Sequence, residues 1–184
     1  MNDCRRLTEL DMKLPKVLRG DIRLSNEAER LELARLCYFK TWFATSARLY
    51  EQALASQPDL TDNLEASHRY KAACTAVLAG DGRGTENIPL DQESRARWRA
   101  QALMWLRADV AAWAQRLERA PERTRAAIES FLRRCQNDSD LESARDTSAM
   151  VNLSEEEQKI CRELWNEVAA LLLDLQFPAD PFAH

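Results

Sequence analysis

Apolar residues recur every three or four positions along most of this chain, which is the spacing of one face of a helix. Residues 3–19, for example, carry Leu7, Leu10, Leu14 and Leu18 at such intervals, as an amphipathic helix requires. No segment alternates apolar and polar residues in the manner of a half-buried strand. The pattern therefore predicts an all-α fold.

Capping residues and prolines divide this pattern into separate helices. Asn26 with Glu29, and Ser154 with Glu157, have the spacing of a capping box, and Pro121 suits the first position of a helix. We therefore expect helices near residues 3–19, 26–39, 41–57, 64–80, 91–119, 121–135 and 153–176, with the apolar positions turned inward.

Proline, glycine and polar residues mark the breaks between these helices. Pro15 lies inside the first helix and is expected to kink or split it. Pro58 ends the third helix, because it restricts the residue before it and lacks a backbone donor. Residues 80–92 form a loop, residues 136–152 a polar connector, and residues 177–184 a flexible tail.

The composition is that of a soluble globular domain rich in helix formers. Hydrophobic residues make up 45% of the 184 positions and charged residues 30%, with only four glycines and six prolines. A chain of this length suits one domain with a substantial core. We therefore predict a single all-α domain over residues 1–176.

The cysteines and the N-terminal sequence bear on metal binding and location. The five cysteines form no CxxC pair, and only two histidines are present, so we predict no metal site and no cofactor. Buried thiols in a reducing compartment fit these cysteines better than disulfides. The first residues, MNDCRRLTEL, contain no apolar run of signal-peptide length. We expect a cytoplasmic protein with no membrane partner.

The net charge of −4 conceals two oppositely charged segments. Residues 94–136 carry ten arginines and four acidic residues, a net +6, whereas residues 137–184 carry a net −8. Pairing of the two segments within the chain is one interpretation. Nucleic-acid binding through the basic segment is a weaker alternative, since the whole chain is acidic.

One helical stretch has the residue spacing of a stacking repeat. Ser46-x₃-Tyr50, Ala53 and Pro58 reproduce the end of the second helix of a tetratricopeptide repeat, and Ala34 occupies a small-residue position of its first helix. Small residues at such places allow two helix backbones to approach closely. The stretch resembles a tetratricopeptide repeat over residues 26–58.

A second, longer unit follows the first. Tyr70, Ala73, Cys74 and Val77 place aromatic, small, small and large side chains as a first repeat helix does. The unit resembles a stretched second repeat over residues 64–119, with loop 80–92 inserted. Helices over residues 121–176 would stack behind it. The predicted architecture is a short tetratricopeptide-like superhelix of antiparallel helix pairs with extra C-terminal helices.

The ordered motifs extend the resemblance beyond the generic repeat. LPKVLRGD, ARLCYFKTWFATSARLYEQALASQPDL, HRYKAACTAVLAGDG and LSEEEQKICRELWNEVAALL resemble the C-terminal tetratricopeptide region of large bacterial Ser/Thr protein kinases. The resemblance implies a non-catalytic interaction or scaffold module that binds a peptide or a partner domain. The alternative that it implies is a detached regulatory region of such a kinase, inactive alone.

No constellation of residues indicates catalysis. The chain lacks the HRD and DFG motifs of kinases, and its one glycine cluster, GDGRG at residues 80–84, follows a helix rather than a strand. Asp109 has no second carboxylate or histidine at a useful spacing, which favours an exposed or ion-paired helix residue. His68 lacks partners for metal binding. We therefore predict that the chain is not an enzyme.

The repeat register predicts which residues face a concave groove. Such a groove would mix apolar and cationic side chains and would suit an acidic or amphipathic peptide. The sequence does not indicate an oligomeric state. The predicted groove residues are Leu31, Arg35, Tyr38 and Phe39 of the first unit and His68, Lys71, Thr75 and Leu78 of the second.

Overall fold

A computed structural model describes residues 2–24, 26–86, 89–119 and 121–176 of the chain, and these residues contain helices and no strand. The all-α prediction is therefore confirmed for this part, while the predicted tail at 177–184 lies outside it. The helices are α1 (Asn2–Leu18), α2 (Glu27–Phe39), α3 (Phe43–Ser56), α4 (Asp59–Asp62), α5 (His68–Gly80), α6 (Gln92–Arg119), α7 (Pro121–Asn137), α8 (Glu142–Arg145) and α9 (Glu155–Gln176), with 3₁₀ turns at Leu64–Ala66, Ser139–Leu141 and Met150–Asn152.

The chain divides into two compact units. The first unit is Met1–Ala102 and the second is Leu103–His184. The boundary falls inside α6, which we predicted to belong to one stretched repeat. The organisation into one domain, with repeats at 26–58 and 64–119, stays a prediction.

Helices α2 and α3 form the central pair of the first unit. Ala34 on α2 and Ser46 on α3 are fully buried, and the Ser46 hydroxyl donates a hydrogen bond of 2.7 Å to the Ala34 carbonyl oxygen. Ala47 and Ala53 of α3 are fully buried as well. Small residues therefore lie in the interior of this pair, as the sequence predicted.

Helix α5 packs against α3 and is almost wholly buried. Its residues from Ala72 to Gly80 are all less than one-tenth exposed. Gly80 permits a close approach, because an added Cβ would lie 2.4 Å from the Arg99 side chain on α6. The Arg99 guanidinium in turn donates to the Gly80 carbonyl oxygen at 3.0 Å. The predicted amphipathic helix is thus an interior helix of the first unit.

Helix α1 is continuous and covers α2. Pro15 lies within it and does not split it. Leu10 and Leu14 are buried, but Leu7 and Leu18 are nearly half exposed. The prediction that all four leucines form one buried stripe is therefore wrong at its two ends, where neighbouring side chains leave Leu7 and Leu18 partly uncovered.

The loop after α5 is anchored to the beginning of α3. Trp42, which precedes α3, gives no side-chain hydrogen bond to the helix. Glu86 accepts a hydrogen bond from the Thr45 backbone N–H instead, at 2.9 Å, and the Thr85 N–H donates to the Thr41 carbonyl oxygen at 2.9 Å. A segment that resembled a simple insertion therefore caps a distant helix.

The second unit has a core contributed by α6, α7 and α9. Ile128, Phe131, Leu132 and Cys135 of α7 are buried, as predicted from their spacing. The predicted capping box of α9 is present, with the Ser154 N–H donating to Glu157 and the Glu157 N–H donating back to Ser154 Oγ. Short helical turns occupy much of the predicted polar connector.

None of the helices in the described part of the chain is both long enough and apolar enough to span a membrane.

Candidate functional site

A cleft of about 310 Å³ opens between α1 and α2 of the first unit. Its volume is near the lower end of the range for ligand pockets, roughly 300–1,000 Å³. Two of the predicted groove residues, Arg35 and Phe39, belong to its wall. Its lining residues are Arg6, Leu7, Leu10, Glu32, Arg35 and Phe39.

The most exposed apolar surface of the cleft is the ring of Phe39. The side chain is 64% exposed at the end of α2, and Leu7 on α1 is 47% exposed. Arg35 lies one helical turn before Phe39, with its guanidinium carbon 5.6 Å from the ring centroid. A cation held over an aromatic ring offers a partner an apolar face beside a positive charge.

The charges of the cleft are unequally partnered. Arg6 forms an ion pair with Glu32 across the two helices, at 2.6 Å, and a longer one with Glu9 at 3.9 Å. These contacts raise the pKa of Arg6, chiefly through its hydrogen bond to Glu32. Among the described residues, no carboxylate forms an ion pair with Arg35. Arg35 is therefore the cation of this cleft that could bind an acidic group.

Phe39 is part of a cluster of aromatic side chains. The Tyr38 ring packs edge-on against Phe39, with 5.7 Å between centroids, and against Phe43 of α3 at 5.8 Å. Burial raises the pKa of nearby Tyr50 to about 12, and the positive charge of Arg35 opposes this rise. Leu31 is half-buried on the same helix as Arg35.

The second half of the predicted groove is only partly accessible. Lys71 is exposed and His68 is half-buried, and the pKa of His68 is lowered by burial and by the charge of Lys71. Thr75 and Leu78 are only 1% and 2% exposed, so their placement on an open groove is wrong. From Ala72 to Gly80, helix α5 is buried on all sides, and a register taken from repeat spacing cannot show this.

Asp109, which we considered for catalysis, and Cys135 both lie in the interior of the second unit. Asp109 is 3% exposed, which excludes the exposed position that we considered, and it has an electrostatic or hydrogen-bonded partner. The pKa of Cys135 is raised to about 12, mainly by burial, with Asp109 contributing. A thiol with so high a pKa is not a nucleophile near neutral pH.

The basic segment pairs with acidic residues within each unit. In the second unit, Arg107 lies 3.4 Å from Glu167 and 3.8 Å from Glu163. In the first unit, Arg97 lies 2.6 Å from Glu51. The contacts of Arg107 agree with pairing between residues 94–136 and 137–184. Nucleic-acid binding by this segment is not tested by these contacts.

The sequence did not indicate the contribution of α1 to the cleft. Leu7 and Leu10 read as ordinary core positions, and no pattern singled out Arg6 or Glu32. One sequence feature could have pointed to this site, because a cation, Arg6, and an apolar residue, Leu7, are adjacent near the start of α1. Whether these side chains line the same cleft depends on how α1 lies on α2, and no local pattern encodes this.

Comparison of the chain with protein-family models, curated proteins and solved structures finds no match in any of the three. The tetratricopeptide resemblance therefore depends on the residue motifs alone. The functional argument must come from the side chains of the cleft itself.

Proposed function

We propose that this chain is a non-catalytic protein-interaction module of the tetratricopeptide type, which binds a peptide or a partner domain at the α1–α2 cleft. The observation that carries the proposal is the exposed pair of Arg35 and Phe39. Aromatic residues, including phenylalanine, and arginine are enriched at protein–protein interfaces. The two residues also line a concave cleft, which can enclose a partner's side chain more fully than a flat surface.

The rest of the described structure suits this role. Asp109, which we considered as a catalytic carboxylate, is only 3% exposed. Four cysteines, Cys37, Cys74, Cys135 and Cys161, are free thiols in the interior, which fits a reducing compartment such as the cytoplasm. The chain would thus act by holding a partner.

A photo-crosslinking amino acid placed at Phe39 tests the proposal. The chain that carries the crosslinker is irradiated together with the organism's own proteins. We expect a crosslinked product of defined mass, which mass spectrometry identifies. Val151 in the second unit is a matched control, because it is 69% exposed and belongs to no part of the cleft.

The outcomes separate the proposal from its alternatives. Protein adducts at Phe39 that are missing at Val151 support it. Adducts at both positions or at neither contradict it, because an exposed apolar side chain alone would then explain the result. Crosslinks from the basic segment 94–136 to nucleic acid, with binding that weakens steeply as salt rises, would favour the other class of function.

A further inference from the structure

The partner's chemistry follows from the arrangement of charges in the cleft. Arg6 is neutralised by Glu32 at 2.6 Å, so a partner's charge would have to displace this pair to use it. The Arg35 guanidinium lies beside the Phe39 ring, 5.6 Å from its centroid, and has no carboxylate partner among the described residues. The complementary group is a carboxylate with an apolar side chain close to it.

The spacing on α2 sets the spacing on the partner. Arg35 and Phe39 are four residues apart, so they lie about 6 Å apart along the helix axis. Two side chains four residues apart on a second helix have the same separation. A helix lying along α2 could therefore place a carboxylate on Arg35 and an apolar side chain against Phe39 and Leu7.

The surroundings favour a helical guest over an added β-strand. A peptide that adds a strand is held largely through its backbone groups at a sheet edge. The described residues offer no strand, and the backbone groups within α1 and α2 are already used by the helices themselves. A helix brings its own backbone hydrogen bonds and needs only side-chain contacts.

We infer that the cleft binds an acidic amphipathic helix of a partner protein, with a Glu or Asp on Arg35 and an apolar residue one turn away on Phe39. This inference rests on the proposed interaction function and specifies its ligand. Arg35 selects the charge, and Phe39 with Leu7 provides the apolar contact.

Synthetic helical peptides provide the probe. Alanine-based peptides of 17 residues would carry one Leu and one Glu four positions apart, in both orders because the direction of the guest helix is open. Matched peptides would carry Gln or Lys in place of Glu, and a further one a central Pro that breaks the helix. Affinities would be measured by fluorescence anisotropy at low salt with the full chain.

We expect the better Glu peptide to bind about fivefold more tightly than its Gln counterpart, as a well-aligned exposed ion pair contributes. Arg35→Gln should abolish this difference, and Arg35→Glu should favour the Lys peptide instead. Phe39→Ser should weaken the Glu and Gln peptides equally. Arg48→Gln is the control, since Arg48 is an exposed cation on α3 outside the cleft.

Other outcomes would overturn the inference. These are equal affinity for Glu and Gln peptides, the same loss with Arg48→Gln as with Arg35→Gln, undiminished binding of the Pro peptide, or no binding of any peptide. Crosslinking from Phe39 to a protein could still succeed in each case, and the proposed interaction function would then survive without this ligand.

Discussion

The buried hydroxyl of Ser46 on α3 donates to the backbone carbonyl oxygen of Ala34 on α2 at 2.7 Å. Both residues are fully buried, so a hydrogen bond joins two helices at the place where their small side chains meet. Arg35 follows Ala34 directly on α2. The packing of α2 on α3 therefore fixes the position of the proposed binding residue.

Removing this hydroxyl should destabilise the protein. Ser46→Ala is expected to lower the free energy of unfolding by about 1 kcal/mol, the usual net contribution of one hydrogen bond. Urea denaturation measures this. Ser56→Ala is the control, because the Ser56 hydroxyl is exposed at the end of the same helix and donates within it, while its contact with α2, from the Arg30 guanidinium, is long at 3.4 Å. An equal effect of the two substitutions would mean that the interhelix bond contributes nothing of its own.

Enlarging a buried alanine of α3 should be costly. Ala53→Leu is expected to destabilise the protein by about 1–3 kcal/mol, because Ala53 is fully buried and extra methyl groups force neighbours out of place. Ala55, two residues later, is exposed, so Ala55→Leu should change stability little. Thermal unfolding of the two variants gives the comparison, and a neutral Ala53→Leu would contradict the packing described here.

Gly80 should be intolerant of alanine although it lies in a helix. Alanine normally stabilises a helix by about 1 kcal/mol relative to glycine, but a Cβ here would lie 2.4 Å from Arg99 Cγ and 3.1 Å from a backbone oxygen of Arg95. We expect Gly80→Ala to destabilise by about 1–3 kcal/mol, measured by urea denaturation. A stabilising result would show that α5 and α6 are not so close.

The contact of Glu86 with α3 should act as a helix cap. Glu86→Ala removes the acceptor for the Thr45 N–H and is expected to lower the free energy of unfolding by about 1 kcal/mol. Glu86→Gln keeps an acceptor oxygen and should lose less. Hydrogen exchange of the Thr45 amide, followed by NMR, checks the mechanism. Unchanged protection of this amide in Glu86→Ala would contradict it.

Alkaline pH should destabilise the protein, because its buried thiols keep their protons in the folded state. Burial raises the pKa of Cys37 from 9.0 to about 12, and that of Cys135 by the same amount. Between these values the unfolded state releases protons that the folded state retains. The free energy of unfolding is therefore undiminished below pH 9 and should fall above it, by up to about 1.4 kcal/mol per pH unit for each thiol.

Cys37→Ala tests this dependence. The free energy of unfolding is measured by denaturation at several pH values between 8 and 10.5. Its decrease per pH unit should be smaller in the variant than in the unsubstituted chain, by the contribution of one thiol. Tyr50, whose pKa is raised to about 12, should contribute to the decrease of the free energy of unfolding with pH in both proteins. An identical slope in the two proteins would contradict the burial of the Cys37 thiol.

Part of the candidate site could be read from the sequence, and part could not. The repeat register predicted that Arg35 and Phe39 face an open groove, and in the structure both line the cleft. Thr75 and Leu78 were predicted by the same logic and are buried. The logic fails on α5 because it assumes a helix with one solvent face, whereas α5 is surrounded.

The sequence by itself determined the helical fold, most of the helix ends and the inward positions of α3 and α7. These depend on periodicity and capping, which are interactions between residues close in the chain. The tertiary structure alone decided which surfaces remain open: Leu7 is left exposed beside Phe39, and Glu86 caps a helix some forty residues earlier. The reason is physical, since exposure and long-range hydrogen bonds depend on which elements lie against one another.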